Sequence, residues 1–355
     1  MAGITPLERS ALVAIAVLTA LAGVADYGSW AAVPRFGVAT LALAGLAWVV
    51  SFATEQLGER FGPGVTGMMQ STLGNLPELF VVIFALQKGE LVVAQTAIVG
   101  SILANALLVL GLVIVVGARR ADDGLMRFSK RLPRDTATLL QVTVFIIVLL
   151  GLSLGSHDPA SHHVKAISAV GAVCLLVVYV AWVVPYLRSD STPEAEQESA
   201  RGPRLSLGLT LALLVVAGTA SAFVSDWFVN ALSPAIVQLH ISQAFAGLVI
   251  VAIAGNAVEN TAGLVLAWKG RSDLAISVVK NSVAQIAAFL FPLLVLISFV
   301  LATTLTFALT PVLIGALALA ALALWQVTGD GEAAEFEGWS LVALYVILAT
   351  LTLYE

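Results

Sequence analysis

Charged side chains are scarce in this chain: they make up 11% of its 355 residues, whereas 59% are hydrophobic and the mean hydropathy is +1.00. Soluble domains carry about 25% charged residues, so an ordinary soluble globular fold is excluded. A single cysteine, Cys174, excludes an internal disulfide. The net charge is −5 and no basic stripe with interleaved aromatic residues is present, which argues against a nucleic-acid partner. We therefore expect the chain to lie in a lipid bilayer.

Long apolar runs dominate the sequence. Because a membrane-spanning helix needs about 20 apolar residues, the runs predict an all-α polytopic membrane protein with about eleven transmembrane helices. The predicted spans are residues 10–25, 35–54, 66–87, 91–117, 135–154, 164–187, 205–227, 241–268, 273–300, 303–325 and 338–354.

Lysine and arginine are distributed unevenly between the loops. With eleven spans, thirteen of them fall on the side of the N-terminus and three on the other side. Cytoplasmic loops carry an excess of basic residues. We therefore expect an integral protein of a prokaryotic cytoplasmic membrane, with its N-terminus in the cytoplasm and its C-terminus outside.

Two stretches of the chain match each other at an offset of 181 residues. The offset aligns Gly74-Asn75-x-x-Glu78 with Gly255-Asn256-x-x-Glu259, and it pairs Ser101 with Ser282. This predicts two five-helix repeats of inverted orientation, a transporter architecture with its site near the bilayer midplane. The predicted parts are an extra N-terminal helix (1–30), the first repeat (31–187), an acidic cytoplasmic linker (188–204) and the second repeat (205–355).

Each repeat places an asparagine and a glutamate three residues apart in an apolar segment. On a helix these positions share a face, so the amide and the carboxylate can converge on one point. A carboxylate at membrane depth indicates a functional site. The alternative is a pair of buried structural glutamates, which the duplication makes less favoured.

Pro77 adds a possible backbone ligand in the first motif. Because proline has no N–H, the carbonyl of Leu73 loses its helical partner. Carboxylates, amide oxygens and free carbonyls are the hard oxygen ligands that suit Ca²⁺.

These motifs resemble those of calcium/proton exchangers in the calcium/cation antiporter superfamily. The first signature is carried by GNLPEL at 74–79 with QTAIVGSILAN at 95–105, and the second by GNAVEN at 255–260 with Ser282 and Gln285. The resemblance implies that Glu78 and Glu259 bind the metal cation and exchange protons. It also implies that the site is completed by Asn75, Asn256, Gln95, Ser101, Ser282 and Gln285.

The sequence departs from the family pattern beside the second signature. Asn281 stands where the family usually has glycine, Asn260 where it has histidine, and Lys280 adds a cation next to the predicted site. If Lys280 faces the site, it competes with the metal or pairs with Glu259, and selectivity shifts towards a monovalent cation. If it points to the helix edge, its ammonium reaches the membrane surface instead.

We predict a secondary antiporter that exchanges a cation, foremost Ca²⁺, for protons. Its partners are the bilayer and the transported ions; no cofactor is expected, and the oligomeric state stays open. A Na⁺/H⁺ exchanger is the alternative, with a cation channel less favoured because acidic pore rings usually come from several subunits. The absence of H-E-x-x-H and G-x-S-x-G motifs argues against an enzyme.

Overall fold

The computed structural model describes residues 4–58, 60, 73–129, 131–188 and 204–355. These residues form long helices and one two-stranded sheet, β1 (Leu125–Arg127) with β2 (Glu332–Ala334). The helices are α1 (Pro6–Tyr27), α2 (Ala32–Gly58), α3 (Leu76–Gln87), α4 (Leu91–Arg120), α5 (Arg131–Ser156), α6 (Val164–Arg188), α7 (Leu207–Leu239), α8 (Gln243–Gly255), α9 (Ala257–Trp268), α10 (Ser272–Ser298), α11 (Pro311–Thr328) and α12 (Glu335–Leu353).

The chain is an almost entirely helical integral membrane protein, as predicted. Within the described ranges nine helices are long and apolar enough to cross a bilayer, or ten if α8 and α9 form one broken span. The remaining predicted span, 66–87, is represented by the shorter apolar helix α3, because residues 66–72 lie outside the described part. Eleven spans therefore stay a prediction, and most of the linker 188–204 also lies outside that part.

Helix α7 continues to Leu239, so the predicted end at residue 227 was wrong. Polar residues and Pro234 give this stretch the character of a loop in the sequence. Pro234 removes the N–H that would bond the carbonyl of Asn230. The guanidinium of Arg35 donates to that carbonyl instead, at 3.2 Å. A contact from α2 thus compensates the proline, and the helix continues.

The start predicted for the tenth span, residue 303, was also wrong, because α11 begins at Pro311. The preceding residues, 299–310, are not helical, and side chains of Ser298 and Ser168 bond their backbone. Ser298 accepts a hydrogen bond from the amide of Leu305 at 2.8 Å. Ser168 accepts from the amide of Phe307 at 3.2 Å. Because the buried backbone is bonded in this way, the segment needs no helix.

The described chain forms two compact units, each containing residues from both predicted halves. The first comprises Met1–Phe84, Val183–Ile241 and Ala254–Val258. Here α1, α2 and α7 pack against one another. At Gly45 of α2 the two N-terminal helices come so close that an added Cβ would lie 2.8 Å from a side-chain carbon of Ile15.

The second unit comprises Ala85–Trp182, Ser242–Ile253 and Glu259–Glu355. Its helix α4 is largely buried and crosses α8 through small residues. An added Cβ at Gly100 would lie 2.5 Å from the backbone of Leu248, and one at Gly247 would lie 2.0 Å from Thr96. Small residues at such crossings let membrane helices approach closely.

Several helix limits recur at the offset found in the sequence. Helices α3 and α9 begin at residues 76 and 257, and α4 and α10 begin at 91 and 272. Both α4 and α10 also contain a π-helical stretch at corresponding positions, Ala104–Val109 and Ile286–Leu290. These limits support the prediction of two repeats.

Candidate cation site

The two motif asparagines lie at helix breaks. Asn75 forms a turn before α3, and Asn256 forms a turn between α8 and α9. Each motif glutamate is therefore the third residue of a new helix, and the asparagine precedes that helix. The expectation that Asn and Glu share a face of one continuous helix was thus incomplete. The break has a consequence for charge, because the N-terminal end of a helix favours a nearby carboxylate.

Glu78 is buried and lies beside the second motif. Its side chain is 4% exposed, and its Oε1 accepts a hydrogen bond from Nδ2 of Asn256, which is fully buried. The two residues are 178 positions apart in the chain. The fold thus brings the carboxylate of the first motif to the amide of the second, and Asn75 is buried as well, at 4% exposed.

The backbone of Gly255 lies directly against the Glu78 side chain. A Cβ at this position would lie 2.6 Å from Cγ and 2.9 Å from Oε1 of Glu78. These distances leave no room for a side chain. The glycine that precedes Asn256 in the motif therefore lets the carboxylate reach the asparagine.

Glu259 and Leu73 are located less completely. Glu259 is the third residue of α9, the position that Glu78 has in α3, but its side chain lies outside the described residues. Leu73 lies in a short helical stretch before the break at Asn75, and Pro77 is the second residue of α3. Proline is tolerated at the first turn of a helix, where no N–H is needed. The role of the Leu73 carbonyl stays a prediction.

Gln95 and Ser101 are buried residues of α4, in the second unit. The amide Nε2 of Gln95 donates to the carbonyl of Ala308 at 2.9 Å. That bond fixes the amide and leaves its oxygen as the only atom suited to a cation. Ser101 is 2% exposed, and its carbonyl accepts from Nδ2 of Asn105 at 2.9 Å.

Ser282 and Gln285 are one turn apart on α10, directly before its π-helical stretch. They are 0% and 3% exposed. The Oγ of Ser282 and the Oε1 of Gln285 have no hydrogen-bond partner among the described residues. Buried polar atoms without a partner are rare in folded proteins and require an explanation such as a bound ion or water. Two such oxygens on one face fit a cation-binding role.

Lys280 is fully buried, and its Nζ donates to Oγ1 of Thr328 at 2.9 Å. The interpretation that its ammonium reaches the membrane surface is therefore wrong. The hydroxyl of Thr328 accepts this hydrogen bond from Lys280 and donates its own to the carbonyl of Leu324, at 2.6 Å. The amine nitrogen of Lys280 is thus held inside the second unit, and the next residue, Asn281, is 7% exposed.

No sequence pattern singles out α7, yet this helix contacts the first motif. Oγ of Ser225 lies 3.5 Å from the carbonyl oxygen of Pro77. A serine in an apolar helix usually bonds its own helix, so only the packing of α7 against the motif identifies this contact.

Comparisons with known proteins identify the family of the chain. The family model described as "Sodium/calcium exchanger protein" matches residues 32–186 and 209–354. The vacuolar calcium ion transporter of Schizosaccharomyces pombe is 30% identical over 93% of this chain and 82% of its own length. The Ca²⁺/H⁺ antiporter ChaA of Bacillus subtilis is 27% identical over 97% of this chain and 98% of its own.

The solved structure of the Ca²⁺/H⁺ antiporter protein YfkE has the same fold. It matches with a TM-score of 0.80 and 26% identity, over 98% of this chain and all of the other. The family model covers most of the chain and both motifs. The protein therefore belongs to the sodium/calcium exchanger family.

Proposed function

We propose that the protein is a secondary antiporter that exchanges Ca²⁺ for protons through Glu78 and Glu259. The observation that carries the proposal is the contact between Glu78 of the first motif and Asn256 of the second. A buried carboxylate held by an amide from the other half of the chain is what a cation site made from two repeats requires. The names of the relatives, calcium transporters and Ca²⁺/H⁺ antiporters, point to the same cargo.

The exchange follows from the chemistry of two acids that share one cation. When both carboxylates are ionised, their oxygens neutralise a divalent ion; when they carry protons, they have no net charge to hold it. Cation and protons therefore exclude each other, and the acids titrate as a pair. A proton gradient across the membrane can then drive Ca²⁺ in the opposite direction.

Further oxygens complete the coordination that Ca²⁺ needs, which is about six to eight ligands. We assign these to amide, hydroxyl and carbonyl oxygens of residues that belong to the two signatures or directly precede the first, with Lys280 and Asn281 modulating selectivity. The assigned ligand residues are Asn75, Asn256, Leu73, Gln95, Ser101, Ser282 and Gln285.

The distribution of basic loops supports a location in a prokaryotic cytoplasmic membrane. It places the N-terminus in the cytoplasm and the C-terminus outside. Cysteine labelling of each terminus in intact cells with an impermeant maleimide tests this orientation. Labelling of an N-terminal cysteine in intact cells would reverse it.

The test of function is transport in proteoliposomes. Purified protein is reconstituted with a pH difference across the membrane, and uptake of Ca²⁺, Na⁺, K⁺ and Mn²⁺ is measured in turn. We expect proton-dependent Ca²⁺ uptake that collapses when an ionophore removes the pH difference. Uptake that needs no counter-gradient would identify a channel, and uptake of Na⁺ without Ca²⁺ would identify a monovalent exchanger.

Glu78→Gln and Glu259→Gln each test the mechanism. Each variant keeps the size of the side chain and removes its charge, so we expect Ca²⁺ exchange to fall to the level of empty liposomes. Glu55→Gln, at an exposed position near the end of α2, is the matched control and should retain exchange. Full transport by either motif variant would refute the two-carboxylate mechanism.

A further inference from the structure

One face of α7 packs on the start of α3, the helix that follows the break at Asn75 and contains Glu78. At Gly218 an added Cβ would lie 4.0 Å from the side chain of Leu76, and Oγ of Ser225 lies 3.5 Å from the carbonyl oxygen of Pro77. Residues 218, 221 and 225 are spaced so that they share a helix face. Ser221 therefore lies between two positions that contact the residues directly before Glu78.

The hydroxyl of Ser221 is unusual among those of the described helices. The residue is fully buried, and its Oγ has no hydrogen-bond partner within the described ranges. Helical serine and threonine residues normally bond a carbonyl of the preceding turn. Thr210 in the same helix does so with the carbonyl of Ser206, at 3.0 Å. Packing in the helix alone thus leaves the Ser221 oxygen unsatisfied.

Thr40 of α2 is the natural comparison, because it occupies the position that corresponds to Ser221 at the offset of 181 residues. Its Oγ1 donates to the carbonyl of Phe36 at 2.8 Å. The two hydroxyls therefore differ in bonding although they correspond in sequence. Ser282, already assigned to the cation site, has the same buried and unbonded state as Ser221.

We propose that Ser221 is a further cation-binding residue, whose Oγ donates an oxygen, directly or through one water, to the ion held beside Glu78. The proposal rests on the function proposed above. It explains why a buried hydroxyl without a partner among the described residues lies on the helix face that carries Gly218 and Ser225, since Ca²⁺ takes hydroxyl and water oxygens readily. It makes α7 a contributor to the site together with the two signature motifs.

The test compares Ser221→Ala with the wild type and with Thr40→Val in reconstituted protein. Loss of one oxygen contact should raise the KM for Ca²⁺ about fivefold to tenfold, with little change in the maximal rate. Thr40→Val should leave the KM unchanged, because that hydroxyl serves its own helix. A KM for Ser221→Ala within about twofold of the wild-type value overturns the proposal.

A second variant separates ion contact from a purely structural role. Ser221→Cys keeps the size of the side chain but offers a soft sulfur ligand, which prefers Zn²⁺ over Ca²⁺. We expect Zn²⁺ to inhibit Ca²⁺ exchange by this variant at concentrations that leave Thr40→Cys active. Both variants retain the exposed Cys174, so its contribution cancels. Equal inhibition of the two variants overturns the proposal.

The outcomes also separate this proposal from the function on which it rests. A wild-type protein that exchanges no Ca²⁺ for protons overturns both. Wild-type exchange together with unchanged Ser221 variants overturns only the role of Ser221. Size-exclusion profiles and melting temperatures of all variants confirm that the compared proteins are folded.

Discussion

Gly255→Ala tests whether Glu78 must reach Asn256. The new Cβ would lie 2.6 Å from Cγ of Glu78 and 3.2 Å from its Cδ. Carbon atoms pack best at about 3.5–4.0 Å, so the Glu78 side chain has to move by about 1 Å. A shift of that size breaks the hydrogen bond from Asn256. Hydrogen bonds to charged groups contribute about 1.5–3 kcal/mol, so exchange should fall roughly 10- to 100-fold.

The assay is proton-driven Ca²⁺ uptake in proteoliposomes, with KM and maximal rate determined separately. Gly315→Ala is the control, because α11 has open space at Gly315 and an added Cβ there meets nothing within 4 Å. Its uptake should equal that of the wild type. Wild-type KM and rate for Gly255→Ala would refute the argument that the glycine positions the carboxylate.

Two further predictions concern charge. Lys280→Met keeps the side-chain volume and removes the buried ammonium, and because Ca²⁺ feels twice the repulsion that Na⁺ feels, uptake should shift towards Ca²⁺. An unchanged Ca²⁺ to Na⁺ preference in competition assays, with Lys280→Arg as the control that keeps the charge, would mean that Lys280 has no influence on the ion. In the loop after α5, the hydrogen bond from the Ser153 hydroxyl holds the pKa of the exposed Asp158 below its usual range, aided by the backbone amides of Ala160 and Ser161 and opposed by a smaller desolvation effect. The loop is therefore stabilised above the ordinary aspartate pKa and loses this stabilisation as the pH falls through the lowered value, so the protection factors of its amides, corrected for the intrinsic exchange rate at each pH, should fall below about pH 4. A similar loss of protection in Ser153→Ala at neutral pH supports this cause, and protection factors that are independent of pH contradict it.

Much of the fold could be predicted because the bilayer restricts what the chain can do. A span needs a long apolar helix, and the apolar runs therefore located the helices of the described part to within a few residues in most cases. The two large errors, at the end of α7 and at the start of α11, have one cause. In both, a side chain distant in sequence bonds a backbone group: Arg35 bonds the carbonyl of Asn230, and Ser168 bonds the amide of Phe307. Local patterns contain no information on such partners.

The sequence predicted which residues belong to the candidate site, but it predicted their arrangement in space only in part. The repeated motif identified Glu78 and Asn256, and the fold brings them into contact. The breaks at Asn75 and Asn256 were not expected, because the sequence was interpreted as continuous helix. Asparagine directly before a helix, with glutamate at its third residue, is a known signal for a helix start. That signal was present twice and would have predicted both breaks.

The direction of a polar side chain was the least predictable property, and it determines which residues take part in function. Lys280 bonds Thr328, whereas Ser221 bonds no described residue, although both are fully buried. In hydrocarbon an unbonded hydroxyl or ammonium costs free energy, so its partner determines its role. A lysine with a protein partner can act on the ion only through its field, which falls off with distance. A serine whose hydroxyl has no hydrogen-bond partner among the described residues can bind the ion itself. Substitution at Ser221 is therefore tested by the KM for Ca²⁺, and substitution at Lys280 by the preference for Ca²⁺ over Na⁺.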